Sequence, residues 1–202
     1  MRPFRLGLLA VILALSPARA NEPPQALYSH LPYAEAPRKA LVAFCHGSSN
    51  LLRQEVAQAV AVMVDAAKAE GVTLRPVSCF RSVAAQDWLF HGIAKQRGQT
   101  AEERARVSAP PGYSEHHTGY AIDFGDQDRS TDLGRDFAGS PAGQWLLAHA
   151  TAYGFELSFP EGNAQGIAYE PWHWRYVGTP EALETFRWAR QLYPANPAVT
   201  GP

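Results

Sequence analysis

The chain has 202 residues, of which 46% are hydrophobic and 18% charged; this excludes a disordered or coiled-coil chain and points to one ordinary domain with its own core. Eighteen Lys and Arg stand against 19 Asp and Glu, a net charge of −1, and so balanced a chain carries no nucleic-acid footprint. The balance is uneven along the chain. Arg2, Arg5 and Arg19 sit in the first twenty residues without an acid, around the ten-residue apolar run LGLLAVILAL and ahead of Ala18-Arg19-Ala20. A basic start, a short apolar stretch and a small-x-small site are the three parts of a secretory signal peptide cleaved after Ala20. A membrane anchor needs about 20 apolar residues, and no Cys follows the cleavage point to carry a lipid. The mature chain keeps 15 basic and 19 acidic residues, net −4. It is expected to be exported, periplasmic or extracellular, and not inserted in a membrane.

Residues 21–50 (beginning NEPPQALYSHLPYAEAPRK) are rich in Pro and turn formers and read as an extended arm, with one apolar run at Ala40 to Phe44. Residues 51–195 read as the main folded unit. Within it, Val56, Val60, Met63, Val64 and Ala67 recur at helical spacing between Arg53 and Glu70, and Gly71 stands at the C-terminal cap. Thr73 to Phe80 reads as a strand, placed at an edge or bulge by Pro76. Ser82 caps a helix running to about Arg97, and Thr100 with Glu103 forms a capping box. Tyr120 to Phe124 is a short strand. Ser140-Pro141 opens a helix to Tyr153, closed by Gly154. Phe155 to Phe159 and Trp172 to Val177 are strands, and Thr179-Pro180 starts a last helix ending near Leu192. Short strands scattered among helices make an α+β fold.

Two segments concentrate the chemistry: Ser114-Glu115-His116-His117-Thr118-Gly119-Tyr120-Ala121-Ile122-Asp123 and Glu170-Pro171-Trp172-His173-Trp174-Arg175. A catalytic zinc site takes three N/O ligands, an open position for water and a base that is not a ligand. His116, Asp123 and His173 can supply the ligands, and Glu170, three residues before His173, the base. Each piece alone has a plainer reading: His173 as a packed histidine between two tryptophans, Asp123 as a turn cap. The helical HExxH spacing of common zinc proteases is absent.

SEHHTGYAID resembles the Ser-x-His-x-x-Gly-x-Ala-x-Asp motif of the M15B, VanY-type D-alanyl-D-alanine carboxypeptidases. EPWHWRYVG resembles their Glu-x-x-His motif and CFRSVAAQ their Arg-Ser-x-x-x-Gln segment; the three occur in the family's order between Arg53 and Gly178. The resemblance implies a small antiparallel sheet flanked by helices, the hedgehog-like zinc D,D-peptidase fold. It implies Zn²⁺ held by His116, Asp123 and His173, with Glu170 as catalytic base. Arg81 is implied to hold a substrate carboxylate or the developing oxyanion, and Gln86 and Ser114 to line the substrate pocket. A guanidinium fork suits the first of these roles, since it binds a carboxylate bidentately. The implied substrates are peptidoglycan stem peptides ending in D-alanine. An L,D-carboxypeptidase, a D,D-dipeptidase and a non-catalytic cell-wall binding module are the alternatives.

His116 and His117 compete for one ligand position. In an extended segment their side chains point to opposite faces, and the motif's spacing selects His116, leaving His117 to line the cleft or contact neighbours. Trp172, Trp174, Tyr176 and Tyr120 read as core and cleft wall, with Trp172 and Trp174 on the face opposite His173. Two departures from the family pattern are Cys79, often Gly, and Val83, often Tyr. Cys45 and Cys79 could close a loop of about 34 residues, worth roughly 3–4 kcal/mol, or remain two buried thiols.

Overall fold

A computed structural model describes residues 22–44 and 51–194. The leader at 1–20 and Cys45, hence the expected cleavage site and disulfide, lie outside the described residues.

The arm is less extended than its proline content implies. It folds back at Tyr28 and Ser29, both with positive φ, so that Leu27 and His30 exchange backbone hydrogen bonds. It then runs along the domain, with Tyr33 N–H bonded to the Gly112 carbonyl at 2.8 Å and Ala36 N–H to that of His117 at 2.7 Å. The apolar run forms β1 (Leu41–Ala43), paired antiparallel with β2 (Leu51–Arg53).

Helix α1 (Gln54–Ala69) buries Val56, Val60, Met63 and Ala67, the stripe expected of its spacing. It ends on Gly71 in the left-handed region, with the Gly71 and Val72 amides bonded back to Lys68 and Ala67, which is a Schellman cap. Strand β3 (Arg75–Ser78) carries a register irregularity at Pro76 and lies at the sheet edge. Ser82 accepts from Ala85 N–H to start α2 (Val83–Asp87), which continues through a π-helical turn (Trp88–Gly92) into α3 (Ile93–Arg97). The Thr100/Glu103 capping box is present at the start of α4 (Ala101–Ala105).

Strand β4 (Ala121–Gly125) is buried along its whole length. Ser140 caps α5 (Pro141–His149) through its hydroxyl and Gly154 closes the following 3₁₀ turn at positive φ. Strands β5 (Phe155–Leu157) and β6 (His173–Tyr176) complete a four-stranded antiparallel sheet in the order β3-β4-β6-β5. The last helix is broken at Phe186 into α6 (Pro180–Thr185) and α7 (Arg187–Leu192). Among the described residues no helix is long and apolar enough to cross a membrane.

The sheet has one greasy face and one chemical face. Ile122, Phe124, Trp174 and Tyr176 join Val60, Met63, Leu146 and Phe155 in the main core. Because alternate strand residues point to opposite sides, Asp123, His173 and Arg175 emerge on the other. Asp123 stands opposite His173 in the β4–β6 register.

Candidate active site

His116 is delivered by a 3₁₀ turn (Glu115–Thr118), so the opposite-face rule for an extended segment does not apply to it and His117. Two local features favour the turn. Gly119 follows it at φ 70°, a conformation that suits glycine, and Thr118 Oγ1 donates to the Glu115 carbonyl at 2.6 Å. A Cβ on Gly119 would also approach Leu41 Cδ2 to 2.6 Å. The turn is sewn to the chain after β3 by Arg81 N–H bonding the His116 carbonyl at 3.2 Å.

Ligating atoms of His116, Asp123 and His173 all lie within 4.8 Å of one another, and all three residues are buried. His116 Nδ1 sits 2.6 Å from the Cys79 carbonyl, which can only accept, so Nδ1 carries the proton and Nε2 presents its lone pair towards Asp123 Oδ2, 3.2 Å away. Burial, opposed by the Asp123 charge, lowers the His116 pKa to about 4, so its imidazole is neutral at ordinary pH. His173 turns Nδ1 to Asp123 Oδ1 at 2.9 Å and Nε2 to Glu115 Oε2 at 3.0 Å. Burial works against charge on His173, but these two carboxylates outweigh it and raise the pKa to about 10. Burial likewise disfavours the Asp123 carboxylate, yet the two histidines hold it well below the usual range.

The donor chemistry fits a zinc ion. Two imidazole nitrogens and one carboxylate oxygen make a mixed N/O set; Mg²⁺ and Ca²⁺ favour oxygen-only cages. Each histidine is oriented through the nitrogen that faces away from the cluster, the usual support for a ligating imidazole.

Glu170 lines the same cavity, which has a volume of about 450 Å³ and is also lined by Arg81, Ser114, Trp172 and all three candidate ligands. Burial, offset in part by the His173 charge, raises the Glu170 pKa to about 7. A carboxyl poised near neutrality can both take and return a proton. Arg81 is held by Gln86 Oε1 on Nη1 and Ser78 Oγ on Nη2, both at 2.9 Å. Gln86 is itself 1% exposed and donates to Ser108 and the Ala109 carbonyl. Gln86 therefore stands behind Arg81, outside the cavity wall where Ser114 sits. His117 is fully buried, with Nδ1 on the Arg81 carbonyl and Nε2 accepting from Gly112 N–H. It contacts neighbours and does not line the cleft. Trp174 packs in the core with Nε1 donating to the Pro171 carbonyl; Trp172 precedes β6, so strand alternation does not govern it, and it lines the cavity with His173 while also touching the core.

Glu115 is the residue that sequence reading passes over. It is 5% exposed and accepts from His173, from Ser158 Oγ at 2.6 Å and from Arg175 Nη1 at 2.9 Å. Although burial disfavours its charge, Arg175 and His173 lower its pKa to about 2. Arg175 is shared with Glu156 at 2.7 Å, and Arg190 closes the row on Glu156. The arm adds His30 and Tyr33 to the cavity wall, and Phe159 lies 5.2 Å from the His173 ring at an interplanar angle of 33°. Only the acid next to His116 in the string hinted at any of this.

On this α+β scaffold two imidazoles and a carboxylate converge beside a near-neutral carboxyl and a braced guanidinium, a donor set that could hold one metal ion. The family is specific: residues 49–179 match the model of VanY, D-alanyl-D-alanine carboxypeptidase, and the chain belongs to that family. It is 35% identical over 138 residues to a D-alanyl-D-alanine carboxypeptidase of Enterococcus faecium, covering 67% of this chain and 40% of that protein. It is 33% identical over 126 residues to the bifunctional D-Ala-D-Ala dipeptidase and D-Ala-D-Ala carboxypeptidase VanXYC of Enterococcus gallinarum, covering 59% and 65%. Among solved structures, the LdcB LD-carboxypeptidase superposes with a TM-score of 0.65 at 32% identity, covering 77% of this chain and 76% of that one. The chain spans less than half the length of the first curated relatives it matches.

Proposed function

We propose that this protein is a zinc-dependent D-alanyl-D-alanine carboxypeptidase that removes the terminal D-alanine from peptidoglycan stem peptides. The observation that carries the reading is the convergence of His116, Asp123 and His173 with Glu170 and Arg81 on one cavity, in a chain of the VanY family. His116, Asp123 and His173 hold the metal. When bound, zinc supplies Lewis acidity that lowers the pKa of water and polarises a carbonyl. Glu170 takes a proton from the attacking water and passes it to the departing amine, a dual role suited to a pKa of about 7. Arg81, its fork set by Gln86 and Ser78, receives the C-terminal carboxylate and fixes the scissile bond. Ser114 lines the pocket beside it.

Export by residues 1–20 fits a substrate outside the cytoplasmic membrane, with residues 21–50 as an arm on the catalytic unit at 51–195. The second reading, an L,D-carboxypeptidase on the same metal core, is favoured by the likeness to LdcB. Incubating the zinc-loaded protein with pentapeptide and tetrapeptide stems, and weighing what is released, decides between them. D-alanine from the pentapeptide alone supports the D,D reading, release from the tetrapeptide supports L,D, and release from neither refutes both.

A further inference from the structure

The cavity holds charge of both signs at separate places. Its acids, Glu115, Asp123 and Glu170, gather at the candidate metal centre. Another part of its wall, built where α3 turns into α4, carries Arg97 and Arg104. Arg97 is the last residue of α3, exposed at its end; Gly98 reverses the chain in the left-handed conformation, and the Thr100 capping box fixes α4 beyond it. Arg104 is 8% exposed, and both Nε and Nη2 are clamped on the Leu89 carbonyl at 3.2 and 2.9 Å. That clamp fixes the guanidinium plane without neutralising it. Among the described residues no carboxylate pairs with Arg97 or Arg104, although the other buried arginine, Arg175, has two.

A buried, oriented and unneutralised guanidinium beside a second one is costly unless an anion arrives. Burial first, and then the Arg97 charge, lowers the Arg104 pKa, and no acid offsets either effect. Arg81 is different: its charge is felt by His116 and Glu170, which puts it at the reacting end. Leu89, Val107 and Ala109 give the wall near the two arginines an apolar floor, along which a peptide backbone could lie.

We propose that Arg104 and Arg97 form a second anion subsite, which receives a carboxylate that the peptide substrate carries upstream of its scissile bond. The inference rests on the peptidase reading and deepens it. It makes the enzyme selective for stem peptides with a free acidic group in their interior, in addition to the C-terminal carboxylate taken by Arg81. Arg104 supplies the fixed fork and Arg97 the charge at the mouth.

The test uses two pairs of pentapeptides ending in D-Ala-D-Ala. In one, the third residue is meso-diaminopimelate or lysine, which differ by a single carboxylate. In the other, the carboxyl of the second residue is free or amidated. The zinc-loaded wild type should favour the carboxylate-bearing member of at least one pair by about tenfold in kcat/KM, the worth of one hydrogen-bonded charge pair. Arg97→Gln and Arg104→Gln should each shrink that ratio towards one. Because Arg104 also braces Leu89, its variant is checked for folding by its melting temperature, and the exposed Arg97 provides the independent arm. The same ratios are read as dissociation constants by calorimetry on zinc-loaded Glu170→Gln protein, where no turnover is needed. A ratio of one in the wild type, or a preference that survives both substitutions, overturns the subsite. Absence of cleavage with a preserved, arginine-dependent binding ratio overturns the carboxypeptidase reading and leaves the subsite standing; absence of binding overturns both.

Discussion

Glu115→Gln changes charge and proton count at one buried site while conserving shape, and its effect can be worked out atom by atom. Oε1 accepts from Arg175 Nη1 at 2.9 Å, and Oε2 accepts from His173 Nε2 at 3.0 Å and from Ser158 at 2.6 Å. Arg175 can only donate, so the amide oxygen of a glutamine must stay at the Oε1 position and its NH₂ must take the place of Oε2. An NH₂ offers no lone pair to His173, so its Nε2–H loses its acceptor. When Nδ1, the nitrogen that faces Asp123 and the metal position, gives up its proton to bind zinc, the remaining ring proton stays on Nε2. Zinc binding then sets two donors face to face or requires flipping the amide against Arg175. Losing such an orienting carboxylate weakens metal binding by about 10–100-fold, or roughly 1.4–2.7 kcal/mol. Competition with a chromophoric zinc chelator measures it, and the melting temperature of the metal-free protein checks the fold. Glu156→Gln, which touches Arg175 but not His173, is the control and should leave the zinc constant within a few-fold. Wild-type zinc affinity in Glu115→Gln would refute the tautomer argument.

Four further outcomes follow from the geometry. Glu170→Gln should retain zinc, measured by metal analysis, while losing about 10²–10⁴ in kcat; retained turnover would remove Glu170 as the base. Arg81→Lys replaces a braced fork with a point charge and should cut kcat/KM by about tenfold or more on free-carboxyl peptides, with little further loss on a C-terminally amidated one; equal losses on both would exclude carboxylate recognition. Chelation should abolish activity and lower the melting temperature, and added zinc should restore both, since a ligand that binds only the folded state stabilises it. Gly143→Ala should destabilise by about 1–3 kcal/mol in denaturant melts, because its Cβ would collide with the Phe137 backbone carbonyl; an unchanged midpoint would mean that α5 can shift freely.

What is legible in the chain is what its chemistry settles locally. Ser82, Thr100 and Ser140 cap helices where they stand because a side-chain oxygen and an amide three residues on are enough. Gly71 and Gly154 close turns for the same reason. Strand β2 is not legible: Leu51–Arg53 is three residues long and exists by pairing with β1. The 3₁₀ turn at Glu115–Thr118 depends on close packing of Gly119 against Leu41 from the arm. The break at Phe186 leaves no mark in the apolar pattern. At the site, the strings name His116, Asp123, His173, Glu170 and Arg81, which the fold brings to one cavity. Glu115 stays hidden because its partners Ser158, His173 and Arg175 lie 43, 58 and 60 residues away. Gln86 is visible as a residue, but its position behind Arg81 emerges only when α2 is packed.

The pairing of Asp123 with His173 across β4 and β6 makes the metal centre a gauge of strand alignment. Sliding either strand by one residue would send its ligand into the greasy face and bring Ile122 or Trp174 to the chemical one. High-affinity zinc capture is therefore available only to a chain whose central strands have already zipped in the native frame. A bound ion would stabilise that alignment over any slipped one, so metal affinity reports the frame of β4 and β6.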